Sequence, residues 1–313
     1  MNIDKVGWFP GKLDHKWWHS LLKAVLKMRT VPQHIAFIMD GNRRYAHSHN
    51  FDSVIQGHLA GFEQLTQILE WCHELGVSEV TVYAFSIENF KRTEEEVRGL
   101  MDLFESKLGQ LIKEIHRFEE KEIAIRFYGD LSYLSPKLRK LTAEVELRTM
   151  NFKKLVLFFM HNRTFVGVLP YHLCEDVDFE EEHSLWLQNL LNICVAYTSQ
   201  NEMKRAFVTI KRGIRNGLLE KTDINEYLIA KCLDSSDSRD PDMLIRTSGE
   251  YRLSDFLLWQ CSTCYIHFDS VMWPDFGYWN LCKAFLGYQN SLSKIEVENF
   301  LFSCFSKIRS SFK

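Results

Sequence analysis

The amino-acid sequence predicts an α/β protein: one domain with a central, mainly parallel sheet flanked by helices. Two observations predict it. Short apolar runs alternate with longer segments of helical periodicity, the rhythm of strands joined by crossover helices. The 313 residues are 46% hydrophobic and 25% charged with only 15 Gly and 6 Pro, which suits one large folded domain and argues against disorder or a fibrous repeat.

The elements follow in order. Residues 1–30 read as a separate amphipathic segment. Trp17, Trp18, Leu21, Leu22, Val25 and Leu26 fall on one helical face among Lys16, Lys23 and Lys27. Such a face suits either a membrane surface or packing against protein. A buried strand is expected over 34–39 and a helix over 58–75, with Phe62, Leu65, Leu69 and Cys72 at helical spacing and Gly76 as its stop. A strand at 79–84 precedes a long helix at 93–120, which opens at Thr93 with Glu94, Glu95 and Glu96 in its first turn. A strand at 123–128, a helix at 136–150, a strand at 191–197 and a helix at 200–217 come next. Strands at 242–246 and 264–268 and helices at 277–289 and 293–309 complete the pattern. Residues 155–190 break the rhythm, with six acidic residues and one arginine, and read as an atypical insertion. The expected division is therefore a 1–30 segment, a 31–290 body and a 291–313 C-terminal helix.

Several functions are excluded or disfavoured. A net charge of −3 does not suit a nucleic-acid clamp. The longest apolar run is the six residues 155–160, too short for a transmembrane helix. The N-terminus lacks the layout of a signal peptide. The eight cysteines include one CxxC, Cys261 and Cys264, with no second pair to complete a zinc site. No Walker A, GxGxxG, HExxH or Asp-Asp-x-x-Asp motif occurs.

In an open parallel sheet, ligands bind beyond the carboxyl ends of the strands. Asp40, Gly41, Asn42, Arg43 and Arg44 follow the first strand. They offer a carboxylate for Mg²⁺ and glycine, amide and guanidinium groups for phosphate. Farther on, Gly57-His58 opens the next helix, whose N-terminal end favours an anion. Ser86, Asn89 and Arg92 follow the second strand, and Arg246, Arg252 and Ser254 follow the fifth. Three such groups at three strand ends point to a pair of diphosphate sites.

Met39–Arg44, Tyr83–Arg92 and Ile245–Gln260 resemble the signature segments of the cis-prenyltransferase (undecaprenyl diphosphate synthase-like) family, most closely its eukaryotic catalytic subunits. The resemblance covers about residues 32–290 apart from 155–190. It implies condensation of isopentenyl diphosphate with farnesyl diphosphate, with Mg²⁺, to a long-chain polyprenyl (dehydrodolichyl) diphosphate for dolichol and protein glycosylation. Asp40 is then the metal ligand, with Gly41, Asn42, Arg43, Arg44 and His58 around the allylic diphosphate. Ser86 and Asn89 position the reacting end, Arg92 adds a cation, and Glu96 orients the substrate region. Arg246, Arg252 and Ser254 bind isopentenyl diphosphate. Leu65, Leu69, Leu100, Leu103 and Phe104 lie on the two helices that line an apolar tunnel in relatives, although read alone they suit plain core. The resemblance also implies a peripheral place on the cytosolic face of the endoplasmic reticulum membrane.

The chain departs from the family at several points. Val54 stands where relatives carry an arginine, and Tyr265 where bacterial relatives carry a metal-binding glutamate. No Arg-x-Gly appears near residue 313, so a Nogo-B receptor-like accessory subunit is expected to complete the site. A non-catalytic scaffold subunit is the alternative reading, weakened because Asp40, Arg246 and Arg252 are all present.

Overall fold

The apolar run that starts at His34 becomes β1 (His34–Ile38), and every residue of it is buried. The computed structural model describes residues 7–9, 16–161, 189–292 and 294, the stretch 151–161 by its backbone only. A strand buried on both faces needs neighbours on both edges and cover above and below. Its edges pair in parallel with β2 (Glu79–Ser86) and β5 (Met243–Arg246). With β3 (Ile123–Tyr128), β4 (Asn189–Tyr197) and β6 (Tyr265–Phe268) they form a six-stranded sheet of order β3-β4-β2-β1-β5-β6. Every pairing in it is parallel. The order reverses about β1, because the chain passes to β2, skips to the edge at β3, fills the gap with β4 and then returns past β1 to add β5 and β6. The carboxyl ends of β1 and β5 therefore flank the crevice where such sheets take ligands.

The helices are α1 (Trp17–Lys27), α2 (Asn42–Ser48), α3 (Val54–Leu75), α4 (Glu94–Lys113), α5 (Ile115–Glu120), α6 (Pro136–His161), α7 (Ser199–Arg215), α8 (Glu226–Lys231) and α9 over 278–292. On one face of the sheet, Ile35, Phe37, Val80 and Val82 join a large core with Ile68 of α3, Leu108 of α4 and Phe285 of α9. On the other, Ala36, Ile38, Tyr197 and Leu244 pack with Phe256 and Leu257.

The elements differ from expectation mainly at their ends. The Asp-Gly-Asn stretch, which reads as a turn, leads directly into α2. Helix α3 starts at Val54 because the Ser53 hydroxyl accepts the Ile55 N–H at 3.2 Å and caps it. The expected helix over 93–120 is two helices, broken at Glu114 (φ −97°, ψ 11°). Helix α6 continues to His161 and β4 begins at Asn189, so both ends of the supposed 155–190 irregular stretch are regular. Residues 162–188 lie outside the described residues, as does the expected 293–309 helix apart from Lys294.

Helix α1 does not present its apolar residues on a single free face. Trp18 and Leu22 pack against the core and Leu26 is buried, while Trp17, Leu21 and Val25 are exposed. Gln289 of α9 donates to the Leu26 carbonyl at 2.8 Å and holds the helix end in place. Among the described residues no helix is long and apolar enough to cross a membrane.

Helices α2 and α3 touch closely at Gly57 and Gly61. A Cβ at Gly57 would lie 2.2 Å from the Asn42 carbonyl oxygen, and one at Gly61 would lie 2.3 Å from Asn42 Oδ1. Gly57→Ala is expected to push α2 away from α3 at a cost of about 1–3 kcal/mol. Thermal unfolding checks this, and an unchanged melting temperature would show that the contact can relax.

Candidate active site

Asp40 lies two residues beyond β1, and its main chain is pinned to two other segments. The Thr247 hydroxyl donates to the Asp40 carbonyl at 2.9 Å and accepts the Asp40 N–H at 3.1 Å. The Trp273 N–H donates to the same carbonyl at 2.9 Å. Gly41 follows with φ +104°, and a Cβ there would sit 3.0 Å from the Met272 Cβ, so only glycine makes this turn without strain. The Gly41 N–H donates to Asp40 Oδ1 at 2.7 Å.

The other carboxylate oxygen faces Arg246, the last residue of β5. Arg246 Nη2 donates to Asp40 Oδ2 at 2.9 Å. Arg246 is only 3% exposed, and its second nitrogen donates to Ser254 Oγ at 2.6 Å and to the Arg252 carbonyl. Burying a guanidinium costs several kcal/mol unless it is paired and hydrogen-bonded. Asp40, 30% exposed, supplies the paired charge and still opens to solvent. Arg44 reaches back from α2 to donate to Ser248 Oγ, and it lies 3.7 Å from Asp40 and 3.6 Å from Glu250. Arg252 is 64% exposed and pairs with Glu250 at 2.7 Å, so its side chain stands at the rim. Ser248 and Ser254 hold left-handed backbone, φ +83° and +50°, a costly conformation of the kind that clusters at binding sites.

A second group gathers where α3, α4 and the end of β2 meet. Arg92 donates to Glu96 at 2.8 Å, and Arg43 lies 3.8 Å from the same carboxylate. Glu96 thus pairs with two arginines. His58 is lowered from 6.5 to about 4, chiefly by burial and then by Arg92 and Arg43, and its Nε2 is buried without a partner. A neutral imidazole beside two guanidinium groups makes an anion pocket with a hydrogen-bonding floor. Ser86 and Asn89 bind each other: Asn89 Oδ1 accepts the Ser86 N–H at 3.0 Å, and Ser86 Oγ accepts the Glu88 N–H at 3.1 Å. Asn42 donates to the Met39 carbonyl at 3.3 Å and leaves Oδ1 buried against Gly61, so it braces the turn.

The sequence-derived residues therefore fall into three neighbouring groups: Asp40–Arg44–Arg246–Ser254, Arg43–His58–Arg92–Glu96, and Ser86–Asn89. Reading the sequence missed Thr247, Ser248 and Glu250, although polar residues directly after a strand end are the signal that would have found them. Val54 is the first residue of α3, and Tyr265 lies against α9, where a Cβ at Gly287 would meet its hydroxyl at 2.2 Å. Among the described residues no three His, Cys, Asp or Glu side chains converge as a metal set.

The family model "Putative undecaprenyl diphosphate synthase" matches residues 38–165 and 166–296. The chain belongs to the cis-prenyltransferase family and is a prenyl-transferring enzyme. It is 41% identical to the dehydrodolichyl diphosphate synthase complex subunit of Mus musculus, over 88% of this chain and 72% of that protein. It is 34% identical to the isoprenyl transferase of Chlamydia muridarum, over 84% and 91% of the two chains. The fold resembles the lavandulyl diphosphate synthase of Lavandula x intermedia, solved with dimethylallyl diphosphate, with a TM-score of 0.68 and 27% identity over 83% of this chain and 95% of that one.

The His58 shift sets a pH dependence of stability. Its folded value lies below its unfolded one, so nothing is lost above about pH 6.5, and stability falls as acid protonates the unfolded chain first. At about pH 5 this amounts to roughly 2 kcal/mol. His58→Gln should narrow the difference in melting temperature between about pH 7 and pH 5. An unchanged difference would assign the acid sensitivity elsewhere.

Proposed function

We propose that this enzyme condenses isopentenyl diphosphate onto farnesyl diphosphate and repeats the step to build a long polyprenyl diphosphate of the dehydrodolichyl type. One observation carries the reading: Asp40 and Arg246, 206 residues apart, meet at 2.9 Å at the reversal of the sheet. Each stands among phosphate-binding groups. Gly41, Arg43, Arg44, His58 and Arg92 take the allylic diphosphate, with Glu96 holding two of the arginines. Arg246, Arg252 and Ser254 take the isopentenyl diphosphate. Ser86 and Asn89, locked to each other at the end of β2, orient the reacting end and the departing group between them.

The reaction breaks the allylic C–O bond, forms a C–C bond and releases a proton. Negative charge grows on the leaving diphosphate, and arginine and main-chain donors already in place stabilise it without reorganising. The departing diphosphate takes the proton. Asp40 fits Mg²⁺. Its Oδ1 carries only the Gly41 N–H and lies 3.7 Å from Arg44, its side chain is 30% exposed, and Mg²⁺ is commonly held by one or two carboxylates and substrate phosphates. The metal would supply positive charge beside the leaving group.

The product needs an apolar route. An apolar pocket opens at the opposite ends of the strands, lined by Thr66, Leu69, Val77, Val80, Phe118 and Leu191 and covered by Trp8 and Phe9. Leu65, Leu100 and Leu103 are buried on α3 and α4, and Leu69 and Phe104 pack on the core that holds Leu65 and Leu100. We assign this seam of α3 and α4 to the growing chain.

Asp40→Asn tests the assignment, since Ala would strand the buried Arg246 while Asn still accepts its hydrogen bond. Turnover should fall about a thousandfold, the equivalent of several kcal/mol, with the melting temperature nearly kept. Wild-type turnover would sink the reading.

The relatives' names as complex subunits support an accessory subunit, for which a Nogo-B receptor-like protein is the proposed kind. The exposed Trp17, Leu21, Val25 and Met28 of the α1 region, with Trp279 of α9 beside them, support peripheral contact with the endoplasmic reticulum membrane. Trp17→Glu with Leu21→Glu should abolish flotation with anionic phospholipid vesicles and leave unfolding unchanged. Undiminished flotation would free this face for a protein partner.

A further inference from the structure

We infer that Tyr83 is a positioning residue that sets the isopentenyl diphosphate loop through its phenol hydroxyl, by bonding the main chain at Ser254. This rests on the proposed role of Arg246, Arg252 and Ser254.

Tyr83 sits in β2 three residues before Ser86. The β2–β4 register, regular up to Tyr83↔Cys194, shifts between Tyr83 and Phe85 and again before Ser86. Such an irregularity re-aims the side chains beside it. The Tyr83 hydroxyl stands 3.0 Å from the Tyr197 carbonyl and 3.3 Å from the Ser254 carbonyl, so its single proton is shared between the end of β4 and the loop after β5. One hydroxyl thus joins the end of β4 to the backbone of a residue placed on the second diphosphate.

The loop needs such a tie. Ser254, Asp255 and Leu257 all adopt left-handed backbone, with φ of +50°, +56° and +45°. Non-glycine residues hold this conformation only where their surroundings over-determine it. Neighbouring contacts supply the restraints. The Ser199 N–H donates to the Asp255 carbonyl at 2.8 Å, and the Leu258 N–H donates to Ser199 Oγ at 2.8 Å. The Tyr83 ring stacks on the buried Phe256 at 4.4 Å and 14°. Those contacts hold residues 255–258. At Ser254 itself the main-chain tie is the Tyr83 hydroxyl, while its side chain accepts from Arg246 at 2.6 Å. Removing the hydroxyl leaves the ring stacked and frees the Ser254 peptide to rotate, which carries its Oγ away from Arg246.

Tyr83→Phe tests this because it keeps the ring and removes only the hydroxyl. The KM for isopentenyl diphosphate should rise about three- to tenfold, the worth of one neutral hydrogen bond. The KM for farnesyl diphosphate and kcat should stay within about twofold. Amide hydrogen exchange should quicken over 252–256 and not over 40–48. Ser254→Ala is measured in parallel, and the double variant should be no worse than the worse single one. A Tyr83→Phe enzyme with both KM values unchanged, or with both raised alike, overturns the inference when Ser254→Ala does raise the KM for isopentenyl diphosphate. If Ser254→Ala leaves that KM unchanged, the assignment of the diphosphate to this loop fails, and the inference falls with it.

Discussion

The ion pair between Asp40 and Arg246 is the interaction on which the rest of the site depends. It closes the gap between the ends of β1 and β5, the two strands at which the sheet reverses direction. A guanidinium this deeply buried must be compensated on every side it can be. Asp40, Ser254 and the Arg252 carbonyl take both terminal nitrogens, Nε alone staying buried without a partner, and so the loop after β5 is folded around the arginine. Thr247 ties the same two segments through their main chains. The carboxylate is held without being used up, because its side chain keeps 30% of its surface in solvent.

The second constraint is the closeness of α2 and α3. Gly57 and Gly61 allow the turn after β1 to lie directly on α3. That contact brings Arg43 to the side of α3 that carries His58, where Arg92 and Glu96 arrive from the end of β2 and the start of α4. Two arginines are tolerated side by side because Glu96 stands between them and His58 stays uncharged. The arrangement is electropositive but not overloaded, and it leaves donors for an anion.

The parallel sheet also separates the chemistry from the place where apolar surface accumulates. The polar groups stand at the carboxyl ends of the strands, and the pocket under Trp8 and Phe9 stands at their amino ends. β2 alone has eight residues, which at about 3.3 Å each spans roughly 25 Å. The route proposed for the growing chain covers this distance along α3 and α4. The N-terminal segment belongs to both regions: Trp8 bonds the Lys107 carbonyl at 2.8 Å beside the pocket, while α1 lies along α9 with half of its apolar residues uncovered.

Much of this was legible in the residues themselves. Strand and helix order followed from the alternation of apolar runs and helical periodicity, because hydrophobic period is a local property. The Asp40, Ser86 and Arg246 groups were legible as polar residues clustered at the carboxyl ends of strands. Helix α2 was not, because the Asp-Gly-Asn turn signal masks a helix that starts at its asparagine. Nor was the break at Glu114, which no proline or glycine marks. The division of the α1 face was invisible too, since six apolar residues on a helix do not say which of them meet α9. By itself the sequence determined the sheet, its strands and the chemical types at their ends. The tertiary structure alone decided that Asp40 meets Arg246, that Glu96 serves two arginines and that Tyr83 reaches Ser254. Apart from the bond between Arg92 and Glu96, those contacts join residues tens to hundreds of positions apart, and they depend on strand order and register, which local periodicity does not encode.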